Sequence, residues 1–353
     1  MRRGSNKDRR ARRMLDRRGM GGIVRSAFAA ALAEREASPG YYLVLGRQAM
    51  ACQFQIFLRP RDGSFVPAVH EALNEIDRLE RQMTVYRDDS EICLLNRTAF
   101  AGPVPVEERL YGLLRRAHEI GRQTQGAFDI TAGPLIRCWG FLERKGRIPG
   151  EEELDSARAV TGWDKVLFDD GNHSVRFLRS GVELNLGSIG KGYALDRAAE
   201  LLRSAGLNDF MIHAGHSSIY ASGNSNLGPG WEVSIRAPHA PGASLGTIRL
   251  VDEGMSTSGT GQQYFVVDGR KFGHLLDPGT GWPSTHNSLC SVTAPGAAQA
   301  EALSTAFFVM TPEAVRAYCD SHPEVGSILV AAHENAAVLV WGLSLTTGSD
   351  PEN

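Results

Sequence analysis

The sequence predicts an α+β fold, with helices packed on mixed or antiparallel sheets, and three observations carry that expectation. Segments with strand-like alternation recur along the chain, and stripes of apolar residues at helical spacing are interspersed among them. Glycine and proline together make up about 16% of the 353 residues against roughly 12% in an average chain, which argues for turns and backbone-lined sites and against a helix bundle. With 42% hydrophobic and 22% charged residues the composition is that of a globular protein with a full core, so disorder, collagen and coiled coil are excluded as the overall class.

In chain order, residues 1–18 carry nine Lys or Arg against Asp8 and Asp16, a local charge of plus 7, and read as the start of a basic, flexible segment spanning 1–40. An export signal would need an unbroken apolar core after the arginines, but Arg25 interrupts Gly19 to Ala33, so the cytoplasm is the favoured compartment and export the alternative. No stretch approaches the roughly 18 apolar residues of a membrane-spanning helix. Residues 19–353 sum to minus 9, which does not suit a nucleic-acid partner. Five cysteines, no two closer than 29 residues, form neither a disulfide framework nor a C-x-x-C motif and read as buried thiols.

An ordered domain over 41–345 opens with two strands, Tyr41 to Arg47 and Gln53 to Arg59. Val69, Leu73, Ile76 and Leu79 then mark one helix, and Leu110, Leu113, Ala117 and Ile120 a second that ends near Gly121. Val182 to Leu186 reads as a strand entering the glycine loop 187–192, followed by a helical stripe from Ala194 to Leu202 that closes at Gly206. Further strands are expected at Phe210 to Ile212, Glu232 to Arg236, Tyr264 to Val267, Ser288 to Thr293, Ser327 to Ala332 and Ala336 to Trp341. Helices are expected over 298–310 and 312–321, and 346–353 is a polar tail.

Several motifs fail on inspection. The loop at Gly187 is not a Walker A motif, because Asn185 stands where the first glycine belongs and Gly192 follows the lysine in place of Ser or Thr. GTGQQY lacks the third glycine of a dinucleotide fingerprint, no H-E-x-x-H exists, and GHSSI and GMSTS each miss the last glycine of a nucleophile elbow. What survives is physical: backbone amides of Gly187 to Gly192 at a helix start, with the Lys191 charge, can hold an anion, or the same glycines form a packing turn. Glu301 and Thr305, four apart on one helix face among small apolar residues, offer oxygen ligands suited to Mg²⁺; the alternative is one partly exposed Glu. His274 and Asp277, at a strand end, read either as a proton acceptor with a carboxylate or as a turn Asp beside a half-buried His.

Taken together, the blocks Thr84 to Asn96, Gly126 to Phe141, Val182 to Asp196, Ser256 to Gly259, His274 to Pro283 and Glu301 to Val309 resemble, in order, those of the FAD:protein FMN transferase (ApbE) family. The resemblance implies a single domain with an elongated cleft for FAD, Mg²⁺ at its pyrophosphate, and transfer of FMN to a threonine of an acceptor protein with release of AMP. It implies Glu301, Thr305 and the Gly190 carbonyl as metal ligands, and His274, Asp277 and Lys191 beside the reacting phosphate. The implied cofactor-binding set is Met50, Tyr86, Ser90, Glu91, Asp129, Thr131, Gly187, Gly190, Lys191, Gly192, Asp196, Ser258, Gly259 and His274. Two other outcomes of the same resemblance are a flavin-binding protein without catalysis and an FAD pyrophosphatase yielding FMN and AMP. The chain departs from the family's usual residues in having Glu301 and Asn185 for Asp, Met50-Ala51-Cys52 for Met-Gly-Thr, and Gly215-His216-Ser217 for Gly-Gly-Asp.

Overall fold

A computed structural model describes residues 41–347 apart from 239, 241, 262, 334 and 335. The expectations for 1–40 and for the end of the polar tail lie outside the described residues. Eight strands form one sheet in which every neighbouring pair is antiparallel and spatial order follows chain order. They are β1 (Leu43–Ala49), β2 (Cys52–Leu58), β6 (Phe210–Ala214), β7 (Ser218–Ser222), β10 (Glu253–Gly259), β13 (Asn287–Ala294), β14 (Gly326–Ala331) and β15 (Val338–Trp341). Smaller sheets are made by β3 (Val104–Pro105) with β5 (Ser174–Phe177) and β4 (Val166–Asp169), by β8 (Trp231–Arg236) with β9 (Ser244–Leu250), and by β11 (Tyr264–Val267) with β12 (Arg270–Gly273). The helices are α1 (Val66–Met83), α2 (Glu91–Thr98), α3 (Glu108–Gln123), α4 (Gly133–Cys138), α5 (Glu151–Ala159), α6 (Gly190–Ser204), α7 (Ala297–Val309) and α8 (Pro312–Ser321). This is the α+β architecture expected, and no described helix is long and apolar enough to cross a membrane.

The stripe Val69, Leu73, Ile76 and Leu79 is buried against α6 and the sheet, as its spacing requires. On the opposite face the β8–β9 hairpin packs Trp231, Ile235, Ile248 and Leu250 onto Met255, Leu289, Ile328 and Val330. Both faces of the sheet are therefore covered, and β13 is buried at all 8 of its positions. A separate cluster, containing Trp139, Phe141, Phe272 and Leu276, anchors the segment after β12.

Helix α7 reaches the sheet and α6 only because two residues lack side chains. A Cβ on Gly192 would lie 2.2 Å from the Ala297 carbonyl oxygen, and one on Gly254 would lie 2.4 Å from the Ala297 nitrogen. Asp196 of α6 completes the junction, its two oxygens accepting from the amides of Ala297 (2.7 Å) and Ala298 (2.9 Å) at the start of α7.

The structure corrects several expectations. Val182 to Leu186 is extended chain rather than a strand: a single bridge joins Glu183 to Ala132, while Leu184 is held by the Asn96 side chain and Asn185 N–H by the Ile130 carbonyl. Helix α3 runs past Gly121 to Gln123. Strands β3, β4, β5, β7, β9 and β10 and helices α2, α4 and α5 were not expected, and Thr346 exchanges two backbone bonds with Thr247, so ordered pairing extends past residue 345.

The β1–β2 connection is a two-residue turn in which both Met50 (φ 49°) and Ala51 (φ 58°) adopt left-handed backbone. Such turns favour glycine, since an L-residue in this region costs roughly 1–2 kcal/mol. Ala51→Gly should therefore raise stability by about 1 kcal/mol, seen as a higher urea midpoint at unchanged slope.

Candidate active site

Lys191 is the second residue of α6, and Glu301 lies in the middle of α7, 3% exposed. The α6–α7 junction brings them into direct contact: Lys191 Nζ donates to Glu301 Oε1, and the Gly192 N–H donates to Oε2 at 2.7 Å. The helix start thus holds an anion, as its free amides and lysine allow, and here that anion is the Glu301 carboxylate. The packing-turn reading of Gly192 holds as well, because its missing side chain is what admits α7.

One turn beyond Glu301, the Thr305 hydroxyl donates to the Glu301 carbonyl (3.2 Å). The neighbouring Ser304 shares a hydrogen bond of 3.0 Å with Ser258 of β10, and Gly259 continues that strand. Cys52, at the start of β2, belongs to the same neighbourhood. Burial pushes its thiol pKa up, Lys191 pulls it down, and Glu301 and Glu80 push it up. Glu80 of α1 fixes this corner by accepting from the Met50 N–H at 2.6 Å.

His274 follows β12. Its backbone N–H and its Nδ1 both lie 3.1 Å from the Gln263 carbonyl oxygen. A carbonyl only accepts, so Nδ1 carries the proton and Nε2 keeps its lone pair. Burial lowers the imidazole pKa from its ordinary 6.5; the Gln263 bond opposes this, and the Lys191 charge adds to the lowering. Lys191 is therefore electrostatically coupled to both Cys52 and His274 while touching Glu301. Asp277 is differently employed. Its oxygens accept from Gly279 N–H and the Thr280 hydroxyl, both at 2.9 Å, which closes its own turn. Trp139 Nε1 secures that turn from below by donating to the Gly281 carbonyl (2.8 Å), and a cavity of about 300 Å³ lined by Phe272, Asp277, Trp282 and His286 opens beside it.

The remaining expected site residues divide by whether their polar atoms are already used. Tyr86 is 69% exposed and projects freely. Ser90 is buried and caps α2, accepting from Cys93 N–H at 3.0 Å, so the structure makes it a helix cap. Glu91 braces α2, accepting from the Glu107 amide and Gln82. Thr131 is wholly buried and accepts from Gly162 N–H. Asp129 accepts from Thr131 N–H, and burial pushes its carboxyl up to about 6. Asp196 likewise is pushed by burial to about 6, and both its oxygens accept from amides at the start of α7. Gly187 N–H bonds the Asn185 side chain, and Gly190 N–H bonds the Leu186 carbonyl, which shapes the loop entering α6. In the β6–β7 turn His216 takes left-handed backbone (φ 65°) and stacks on His213, while the Ser217 carbonyl accepts from Thr257 of β10. Gln263 acts on the site through its carbonyl, Asn96 through two bonds to Leu184 and Glu80 through the Met50 N–H, and neither Gln263 nor Glu80 carries a sequence signal that marks it.

Among the described residues no group of three or more His, Cys, Asp or Glu is arranged to hold a metal. The donors near Lys191 are one carboxylate and one hydroxyl, with the Gly190 carbonyl at the start of α6. An all-oxygen set of this kind fits Mg²⁺, which keeps several waters and takes few protein ligands alongside substrate phosphates.

A family model described as the ApbE family matches residues 50–329. The chain is 32% identical over 246 residues to an FAD:protein FMN transferase of Escherichia coli (strain K12), covering 68% of this chain and 70% of that one. It is 31% identical over 282 residues to an FAD:protein FMN transferase of Treponema pallidum, covering 74% and 77% respectively. The crystal structure of the ApbE protein from Thermotoga maritima superimposes with a TM-score of 0.76 at 30% identity, over 85% of this chain and 96% of that one. The fold thus places the chain in the class of α+β proteins built like this solved structure. More particularly, the chain belongs to the ApbE family.

Proposed function

We propose that the chain is a Mg²⁺-dependent FAD:protein FMN transferase that moves FMN from FAD to a threonine hydroxyl of an acceptor protein and releases AMP. The observation that carries this reading is the meeting of Lys191, Glu301 and Thr305 at one helix junction, electrostatically coupled to an imidazole whose Nε2 is free to accept a proton.

In this reaction the acceptor oxygen bonds to the flavin-side phosphorus, and the bond from that phosphorus to the bridging oxygen breaks, so AMP leaves with the electron pair. His274 Nε2 takes the hydroxyl proton, a role its Nδ1–H bond to Gln263 prepares by fixing ring orientation and tautomer. Lys191 faces the negative charge that grows on the phosphate oxygens. Mg²⁺ would be held by Glu301 and Thr305 with the Gly190 carbonyl, and would neutralise charge on the diphosphate when bound. Exposed Tyr86 offers a ring for flavin contact, and the turn closed by Asp277 holds the segment that follows His274.

Incubation with FAD, Mg²⁺ and a threonine-bearing acceptor should release one AMP per FMN attached, and EDTA should stop both. AMP released at the same rate without acceptor would show hydrolysis instead, and FAD retained on the protein with no AMP released would show binding alone.

A further inference from the structure

Glu301 has an unusual set of partners for a metal-binding carboxylate. One oxygen is taken by the Lys191 ammonium and the other by the Gly192 amide, in a position only 3% exposed. Apart from these two donors, the acidic side chain acting on the neighbouring Cys52 is Glu80, whose Oε1 is committed to the Met50 amide. Lys191 therefore holds a positive charge where a divalent cation would sit. We propose that Lys191 is a resident counter-cation that competes with the divalent metal for Glu301, and that metal uptake requires the ammonium to leave the carboxylate. The proposal rests on the metal-dependent reading above.

The chemistry follows from charge and geometry. Glu301 has one methylene more than Asp, and its carboxylate reaches across the α6–α7 junction to Lys191. A carboxylate paired with an ammonium is a poorer ligand, because its charge is already balanced and the pair must open first. If the pair is closed nine-tenths of the time, the apparent metal affinity falls about tenfold. An anionic ligand bound beside Lys191 would draw it off Glu301, so metal and diphosphate would each favour binding of the other, by the reciprocity that governs coupled sites. The free protein would then hold metal weakly until a dinucleotide arrives.

The test is Mn²⁺ binding to the nucleotide-free protein, read by the loss of free-ion signal in electron paramagnetic resonance. Lys191→Gln should bind Mn²⁺ about tenfold more tightly than the unaltered chain, and Glu301→Asp, which withdraws the carboxylate from Lys191, should also bind more tightly. In the unaltered chain, saturating Mn²⁺ should increase labelling of Lys191 by an amine reagent severalfold, as mapped by mass spectrometry. This last readout needs no variant to fold. Equal or weaker Mn²⁺ binding by Lys191→Gln, or unchanged Lys191 labelling, overturns the competition while leaving the metal site standing. Absence of Mn²⁺ binding in all three proteins overturns it together with the metal-dependent reading.

Discussion

Replacing His274 by alanine should lower the rate of AMP release by about 10² to 10⁴-fold, the range usual for loss of a positioned general base. Folding at neutral pH should change little, because the ring's one hydrogen bond is to the Gln263 carbonyl. The pH profile supplies a second readout. Burial and Lys191 lower the His274 pKa from 6.5, so the neutral imidazole persists to lower pH than a free histidine would. The acid limb of kcat/KM should therefore fall below pH 6.5 and should vanish in His274→Ala. The same shift works against stability in acid. The unfolded chain binds the proton more readily, so the neutral imidazole's contribution is complete above 6.5 and is lost as pH falls through the folded value. An unchanged rate in His274→Ala would remove it from the reaction.

The second large effect is structural. Gly192→Ala would place a Cβ 2.2 Å from the Ala297 carbonyl oxygen, and the obstacle is helix backbone rather than a side chain that can turn aside. Forcing the α6–α7 junction apart should cost on the order of 3 kcal/mol, the upper end for overpacking. It would also separate the Gly192 N–H from Glu301 and Lys191 from the same carboxylate. A lower urea midpoint together with lost AMP release is the expected result. Gly187→Ala is the control, because the nearest atom to its added Cβ is the Asn185 side-chain oxygen at 3.0 Å, which can shift. Native-like stability in Gly192→Ala would show that α7 does not depend on this close approach.

What could be read in advance depended on how each residue is satisfied. The α1 stripe was legible because every fourth or third residue faces the same apolar surface, and the pattern survives in the sequence. Strand β10 was not legible, since Ser256 and Ser258 lie near Ser218 and Ser304 in a buried hydroxyl cluster that leaves no hydropathic alternation. The segment 182–186 looked like a strand because Val182, Leu184 and Leu186 are buried, yet burial there comes from loop packing and an Asn96 bracket.

At the site, Lys191, Glu301, Thr305 and His274 were each visible as unusual chemistry, but the contact of Lys191 with Glu301 spans 110 residues and only the fold reveals it. Ser90, Thr131 and Asp196 illustrate the converse. The sequence marks positions that carry a hydroxyl or a carboxylate, and only the fold shows that in these three it accepts from a helix-start or loop amide.

The most direct measurement is the intact mass of a threonine-bearing acceptor protein after incubation with this chain, FAD and Mg²⁺, beside the same acceptor with that threonine replaced by valine. One FMN added to the threonine form and none to the valine form is the outcome expected if Lys191, Glu301, Thr305 and His274 act together. An acceptor of unchanged mass, while FAD is converted to free FMN and AMP or left intact, would contradict it.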